Sequence, residues 1–199
     1  MKTFLKRVSI LVVGVLVLSC SSDSSNSSTP PCTPIACLNG GTSRPDCGCN
    51  CPQGYTGSNC STVITPTQVI ITKIVVKSFS NYNSSGLLWD GSNDADIYVK
   101  INSGSTVIYD HPSVFSNAFG SSNTNYSFTL SSPLQITQVR NPLVVSLWDY
   151  DLGDFPSNAD DYMASAAFYP FNNTSFPSVI TITDPSTPTT FDIYLSYVW

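Results

Sequence analysis

Hydrophobic and polar residues alternate through most of the chain after residue 67, in short runs rich in Val, Ile, Phe and Tyr. A period of two residues is typical of β-strands that bury one face. The pattern predicts eight strands, which lie near residues 68–79, 96–102, 105–110, 125–131, 143–149, 162–169, 178–183 and 190–198. No stretch keeps a helical period over three turns. Strands this short and this closely spaced indicate an antiparallel β-sandwich over residues 67–199.

The first residues follow a different pattern. A basic start precedes an apolar run over residues 8–18, and this run is too short to span a bilayer comfortably. The pattern is typical of a signal peptide, which we expect to occupy residues 1–19. The run ends in Leu-Ser-Cys20, which resembles the bacterial lipobox, where signal peptidase cuts before a cysteine that is then acylated. The alternative is an ordinary cleaved signal peptide in which Cys20 occurs by chance.

The lipobox resemblance implies that Cys20 is the lipid-bearing first residue of the mature chain, with palmitate among its acyl groups. The protein would then be anchored in the bacterial cell envelope, in the outer membrane, and would face the periplasm or the exterior. Residues 20–31 are rich in Ser and poor in apolar groups. Such a segment cannot bury enough surface to fold, so we expect it to act as a tether.

Charge excludes one class of partner. The formal charge of the chain is −5, and loss of residues 1–19 would remove three of the eight basic residues and none of the thirteen acidic ones. The mature chain would hold five basic against thirteen acidic residues, a formal charge of −8. No basic stripe is present to meet phosphates, so nucleic acid is not an expected partner.

Cysteines are confined to one short region. The chain has seven, and removal of Cys20 leaves six, all between Cys32 and Cys60. In an exported chain an even cluster of this kind indicates three disulfides. A zinc site is the competing interpretation, but no histidine lies near the cluster.

Residues 32–61 resemble an EGF-like module. The matching features are the Asn-Gly-Gly turn at residues 39–41 and the ending Cys-Pro-Gln-Gly-Tyr-Thr-Gly-Ser-Asn-Cys at residues 51–60. The third cysteine usually follows directly after Asn-Gly-Gly-Thr, whereas here Ser43 stands there and the cysteine comes at position 47. The resemblance implies the pairs Cys32–Cys47, Cys37–Cys49 and Cys51–Cys60. The module would serve as a stapled spacer or would bind a protein.

Aspartates concentrate in two windows. All thirteen acidic residues are Asp, and eight of them fall in residues 89–101 and 147–163. Each window is a polar loop bounded by strand-like sequence. Carboxylates this close repel each other unless a cation lies between them. A hard cation held by oxygen ligands fits this pattern, and calcium fits it best.

The first window resembles the first calcium-binding loop of the C2 domain, a β-sandwich that binds lipids in a calcium-dependent way. That loop ends in Asp-Pro-Tyr-Val-Lys-Val, with another Asp six residues before. Here residues 96–101 read Asp-Ile-Tyr-Val-Lys-Ile, and Asp90 lies six residues before Asp96. Ile97 stands where Pro is usual.

The second window resembles the third loop of the same family. That loop runs Asp-x-Asp, and then Asp before two apolar residues and a small one. Asp149, Asp151 and the segment 161–164, Asp-Tyr-Met-Ala, match this order across a longer gap than usual. One strand precedes the first loop and three follow the third, which in this family corresponds to the permuted topology.

The resemblance implies a set of calcium ligands. They are Asp90, Asp96, Asp149, Asp151 and Asp161. A backbone carbonyl near Tyr150 or Asn158 would add to them. Asp94, Asp154 and Asp160 have no counterpart in the family and are either extra ligands or deepen the negative field. Independently of the family, two loops at one end of a sandwich can converge to supply the roughly six to eight oxygens that calcium takes.

The expected function is calcium-dependent binding of a lipid, glycan or protein by a membrane-anchored lipoprotein. Leu87, Leu88 and Phe155 are candidates for apolar loop tips that insert into a membrane, or they pack on the loop bases. The alternative is a structural or adhesive surface protein in which calcium only rigidifies the loops. We do not expect an enzyme, because the one histidine, His111, lies in a loop and no Glu is available. A glycan hydrolase built on paired aspartates is the least favoured interpretation.

Overall fold

The computed structural model of the protein describes residues 32–91, 93–120, 125–151 and 159–199. The predicted signal peptide and the whole predicted tether of residues 20–31, with Cys20, lie outside the described residues, and so do Asp154, Phe155 and Asn158. Throughout the described part the regular structure is β. Those residues include no helix of the length and apolar character that crossing a membrane requires.

The cysteine-rich region forms two small strand pairs. β1 (Thr42–Ser43) pairs with β2 (Cys49–Asn50), and β3 (Tyr55–Thr56) pairs with β4 (Thr62–Val63). Disulfides join Cys37 to Cys49 and Cys51 to Cys60, with Cα–Cα distances of 5.7 and 5.2 Å. Cys32 and Cys47 are also disulfide-bonded. With so little regular structure and few buried side chains, a region of this size depends on its crosslinks for stability.

Nine longer strands follow within the described ranges, and they form the sandwich. They are β5 (Gln68–Ser78), β6 (Ala95–Ser103), β7 (Thr106–Asp110), β8 (Phe115–Ala118), β9 (Tyr126–Ile136), β10 (Leu143–Asp149), β11 (Asp161–Phe168), β12 (Val179–Thr183) and β13 (Thr190–Val198). One sheet has the order β11-β10-β6-β7, with β8 also paired to β6. The other sheet has the order β12-β13-β5-β9. All these pairings are antiparallel, so the predicted antiparallel β-sandwich is confirmed.

The core lies between the inner faces of the two sheets. In β10, Leu143, Val145 and Leu147 are buried at alternate positions. In β13, Phe191 and Ile193 are fully buried in the same way. Apolar residues two positions apart share one face of a strand, and this periodicity is what the sequence displays. Burial of these side chains is the main stabilising contribution to the fold.

An aromatic contact joins the cysteine-rich region to the sandwich. Tyr55 meets Phe176 edge to face at a centroid distance of 5.3 Å, and Phe176 meets Trp199 at 5.1 Å. Gly54 lies beneath these rings with φ of +89°. A Cβ at this position would collide with Phe176 and would come within 2.8 Å of Trp199, so glycine is needed both for space and for the backbone conformation. The two regions therefore share a packed interface.

Candidate metal centre

Three aspartates converge where β6 begins and β10 ends. Asp149 is the last residue of β10, Asp151 follows two positions later, and Asp90 lies in the loop before β6. One carboxylate oxygen from each residue lies within 4.8 Å of the other two. We call this group of Asp90, Asp149 and Asp151 the acidic triad. The convergence has a local cause, because side chains two positions apart in extended backbone point to the same side.

The backbone around the triad holds this geometry. The Tyr150 N–H donates to the Asp96 carbonyl oxygen at 2.9 Å, which extends the β6–β10 pairing past the end of β10. The Asp96 N–H donates to Asp149 Oδ1 at 2.6 Å. The two loops are therefore tied to each other directly beneath the carboxylates.

Asp149 is the most deeply buried member of the triad. Its side chain has 0% exposure, and Oδ2 meets no hydrogen-bond donor among the described residues. Burial raises the pKa of Asp149 to about 7, and the nearby charges of Asp90 and Asp151 act in the same direction, while the Asp96 N–H opposes them. A buried carboxylate with an unsatisfied oxygen is costly unless a proton or a cation compensates it.

Two predicted ligands lie outside the triad. Asp96 Oδ1 accepts a hydrogen bond from the backbone N–H of Asn117, in β8, at 2.8 Å. Asn117 has a positive φ of 52°, and this hydrogen bond holds β8 at that point. Asp161 stands directly opposite Asp149 in the β10–β11 ladder, but its side chain is exposed. Their assignment as calcium ligands stays a prediction.

Asp160 and Asp94, predicted as extra ligands, have different surroundings. Asp160 accepts a hydrogen bond from the Tyr98 hydroxyl at 2.5 Å and another from the Asp151 N–H at 3.4 Å. Burial, followed by this contact with Asp160, raises the pKa of Tyr98. Asp160 thus positions the triad through the backbone of Asp151. Asp94 is half-buried and is not part of the triad.

The donor set of the triad suits a hard cation. Three carboxylates offer as many as six oxygens, and neither a cysteine nor a histidine belongs to the group. Calcium takes roughly six to eight oxygen ligands and accepts both monodentate and bidentate carboxylates, with carbonyls and water completing the shell. Zinc and copper favour nitrogen and sulfur ligands instead. The residues present therefore fit calcium.

Comparison with known proteins finds similarity to solved structures alone. Neither a family model nor a curated protein matches the chain. Sixteen chains of solved structures match it. One of them, described as "Structure of a C2 domain", is 17% identical, with 65% of this chain and 97% of that chain covered and a TM-score of 0.39. The fold and the site, taken on their own geometry, define a β-sandwich with a buried acidic group that could hold a metal ion.

Proposed function

We propose that the protein is a lipid-anchored component of the bacterial cell envelope whose β-sandwich binds calcium at the acidic triad. The loaded site then takes part in calcium-dependent binding of a lipid, a glycan or a protein. One observation carries the proposal: Asp149 is fully buried between two further carboxylates and keeps an oxygen that meets no donor in the described part of the chain. A cation at this point would offset both the repulsion and the missing hydrogen bond.

Calcium also has a structural effect at this position. Asp90 comes from the loop before β6, whereas Asp149 and Asp151 come from the end of β10. A cation held by all three would crosslink two segments that are distant in sequence. This supports the second candidate function, a structural or adhesive surface protein in which calcium only rigidifies the loops. Binding to liposomes and glycans, with and without calcium, distinguishes the two functions, because a purely structural role predicts binding to neither.

The proposed role is binding and not catalysis. The single histidine, His111, packs edge to face against Phe128 at 5.0 Å and contacts the Ser113 backbone through Nδ1 at 3.0 Å. These contacts are those of a structural side chain. No reaction is assigned to the aspartates of the triad.

Calcium titration tests the metal site. Millimolar calcium is expected to raise the unfolding temperature of the protein by about 5–10 °C, because a ligand at about 100 times its Kd stabilises by about 2.7 kcal/mol. Differential scanning calorimetry with and without a chelator measures this shift. Asp110→Asn is the matched control, since Asp110 is exposed, pairs with Lys100 and is not a member of the triad. An unchanged unfolding temperature in the wild-type protein would contradict the site.

Acylation at Cys20 is tested separately. The wild-type chain is expected in the membrane fraction of a bacterial host, with a diacylglyceryl group on Cys20 detectable by mass spectrometry of the N-terminal peptide. The Cys20→Ser variant is expected to carry no lipid on residue 20, whether or not its signal peptide is removed. Cys20 lies outside the described residues, so this test rests on the lipobox pattern alone. A wild-type N-terminal peptide without lipid would refute the anchor and would leave the calcium site untouched.

A further inference from the structure

A cleft opens beside the acidic triad. It has a volume of about 670 Å³ and lies among the loop of residues 80–89, the start of β11 and the loop that follows β12. This size falls within the roughly 300–1,000 Å³ of sites that bind small molecules. No triad residue lines the cleft, but two of its wall residues adjoin the triad in the backbone: Trp89 precedes Asp90, and Asp161 pairs with Asp149 across the ladder.

Three aromatic rings line the cleft, and side-chain contacts hold two of them, Trp89 and Tyr162, in place. Tyr82 and Tyr162 have exposures of 55% and 51%, and Trp89 contributes a third ring. The Trp89 indole N–H donates to the Ser80 carbonyl oxygen at 2.8 Å. Tyr162 meets Trp148 edge to face at 5.5 Å, and its hydroxyl bonds to Ser165 at 2.8 Å. Trp89 and Tyr162 therefore give the cleft a preorganised apolar surface with polar edges, to which the exposed Tyr82 ring adds.

Polar groups of the cleft are available to a ligand. No donor among the described residues bonds to the Asp161 carboxylate, which is exposed at the start of β11. Asn83, Ser84 and Ser186 add short hydrogen-bonding side chains along the same cleft. Neither Lys nor Arg is found among the described residues that line it. A phosphate or carboxylate ligand would therefore meet repulsion from Asp161, and no Lys or Arg side chain of the lining would offset it.

We propose that this cleft binds a short segment of a neutral glycan. The faces of pyranose rings carry C–H bonds that pack on aromatic rings, and their hydroxyls both donate to carboxylates and accept from amides and hydroxyls. Tyr82, Trp89 and Tyr162 supply the first kind of contact, and Asp161 with Asn83 supplies the second. The inference rests on the proposed function, since calcium at the triad holds Asp90 and with it the Trp89 wall of the cleft.

The experiment compares four proteins on the same probes. Wild type, Tyr82→Ala, Asp161→Asn and the control Tyr169→Ala are run in native affinity gels that contain starch, mannan, xylan or hydroxyethylcellulose, with calcium or with chelator. Tyr169 is a matched control, because its exposure is 55%, the same as that of Tyr82, and it does not line the cleft. Each protein is also mixed with vesicles of phosphatidylserine and phosphatidylcholine. Calorimetric calcium titration of the same samples reports the metal site independently.

Retardation of the wild type by at least one of these polysaccharides is expected, with a loss of affinity of at least about tenfold in Tyr82→Ala and in Asp161→Asn. Tyr169→Ala is expected to behave as the wild type. The proposal falls if no polysaccharide retards the wild type, if Tyr82→Ala binds as well as Tyr169→Ala, or if only the anionic vesicles bind. Calcium stabilisation without any glycan binding would overturn this inference alone. Glycan binding by a protein that calcium does not stabilise would instead overturn the metal site and the coupling between the two.

Discussion

Asp149→Asn is expected to raise the unfolding temperature of the calcium-free protein at about pH 8 and to abolish most of the stabilisation that calcium gives. At that pH the Asp149 carboxylate is mostly ionised, because its pKa is raised only to about 7. The amide keeps an oxygen that can accept from the Asp96 N–H, as Oδ1 does in the wild type. It removes a buried negative charge from beside Asp90 and Asp151, and with it a calcium ligand.

Calorimetry of the variant with chelator and with calcium measures both halves of this expectation. The wild type should gain about 5–10 °C from calcium, whereas Asp149→Asn should gain no more than about 2 °C. Asp110→Asn, which removes an exposed carboxylate outside the triad, should keep the full gain. A variant that loses stability in chelator and still responds fully to calcium would show that Asp149 is a structural residue and not a ligand.

The apparent affinity for calcium is expected to rise about tenfold between about pH 6 and about pH 8, because calcium must displace a proton from Asp149. A single group with a pKa of about 7 is largely protonated at the lower pH and largely ionised at the higher one. The metal-free protein should change in the opposite sense. Its folded state binds more protons than its unfolded state between about pH 4 and about pH 7, so its free energy of unfolding should fall as the pH rises through this window.

Isothermal titration at several pH values, in buffers with different ionisation enthalpies, measures both the affinity and the number of protons released. Release of about half a proton per calcium is expected near about pH 7, where the Asp149 carboxyl is half protonated, and release of close to one proton is expected near about pH 6. Asp149→Asn provides the internal comparison, because its residual binding should lose most of the pH dependence in this range. A wild-type affinity that stays constant over these pH values would exclude proton displacement from Asp149.

Much of the sandwich follows from the sequence. The eight predicted strands all occur. A strand that buries one face must place apolar residues at every second position, and this period is visible in the sequence. β8 was missed, since Phe-Ser-Asn-Ala is short and exposed at its first three positions. Its pairing with β6 is a tertiary contact that no local pattern records. Strands of this kind are set by their neighbours and not by their own propensity.

The sequence predicted which two loops form the site, but not which of their aspartates come together. The windows of clustered aspartates pointed to a convergence, and the structure groups Asp90, Asp149 and Asp151. The missed strand explains why Asp96 stands apart, because a β8 backbone N–H engages its carboxylate. Asp161 stands apart for a different reason: it begins β11, the edge strand of its sheet, where its side chain faces solvent. The orientation of a carboxylate depends on which donors surround it, and these come from distant parts of the chain.

The aromatic interface under Gly54 has a practical consequence for dissecting the chain. A fragment cut at residue 67 would keep every strand of the sandwich but would strip Tyr55 from Phe176, and would leave Phe176 and Trp199 facing water. Newly bared aromatic surface invites self-association, which would be mistaken for oligomerisation of the native protein. Fragments intended for biophysics should therefore retain the cysteine-rich region as a cover for that end of the molecule.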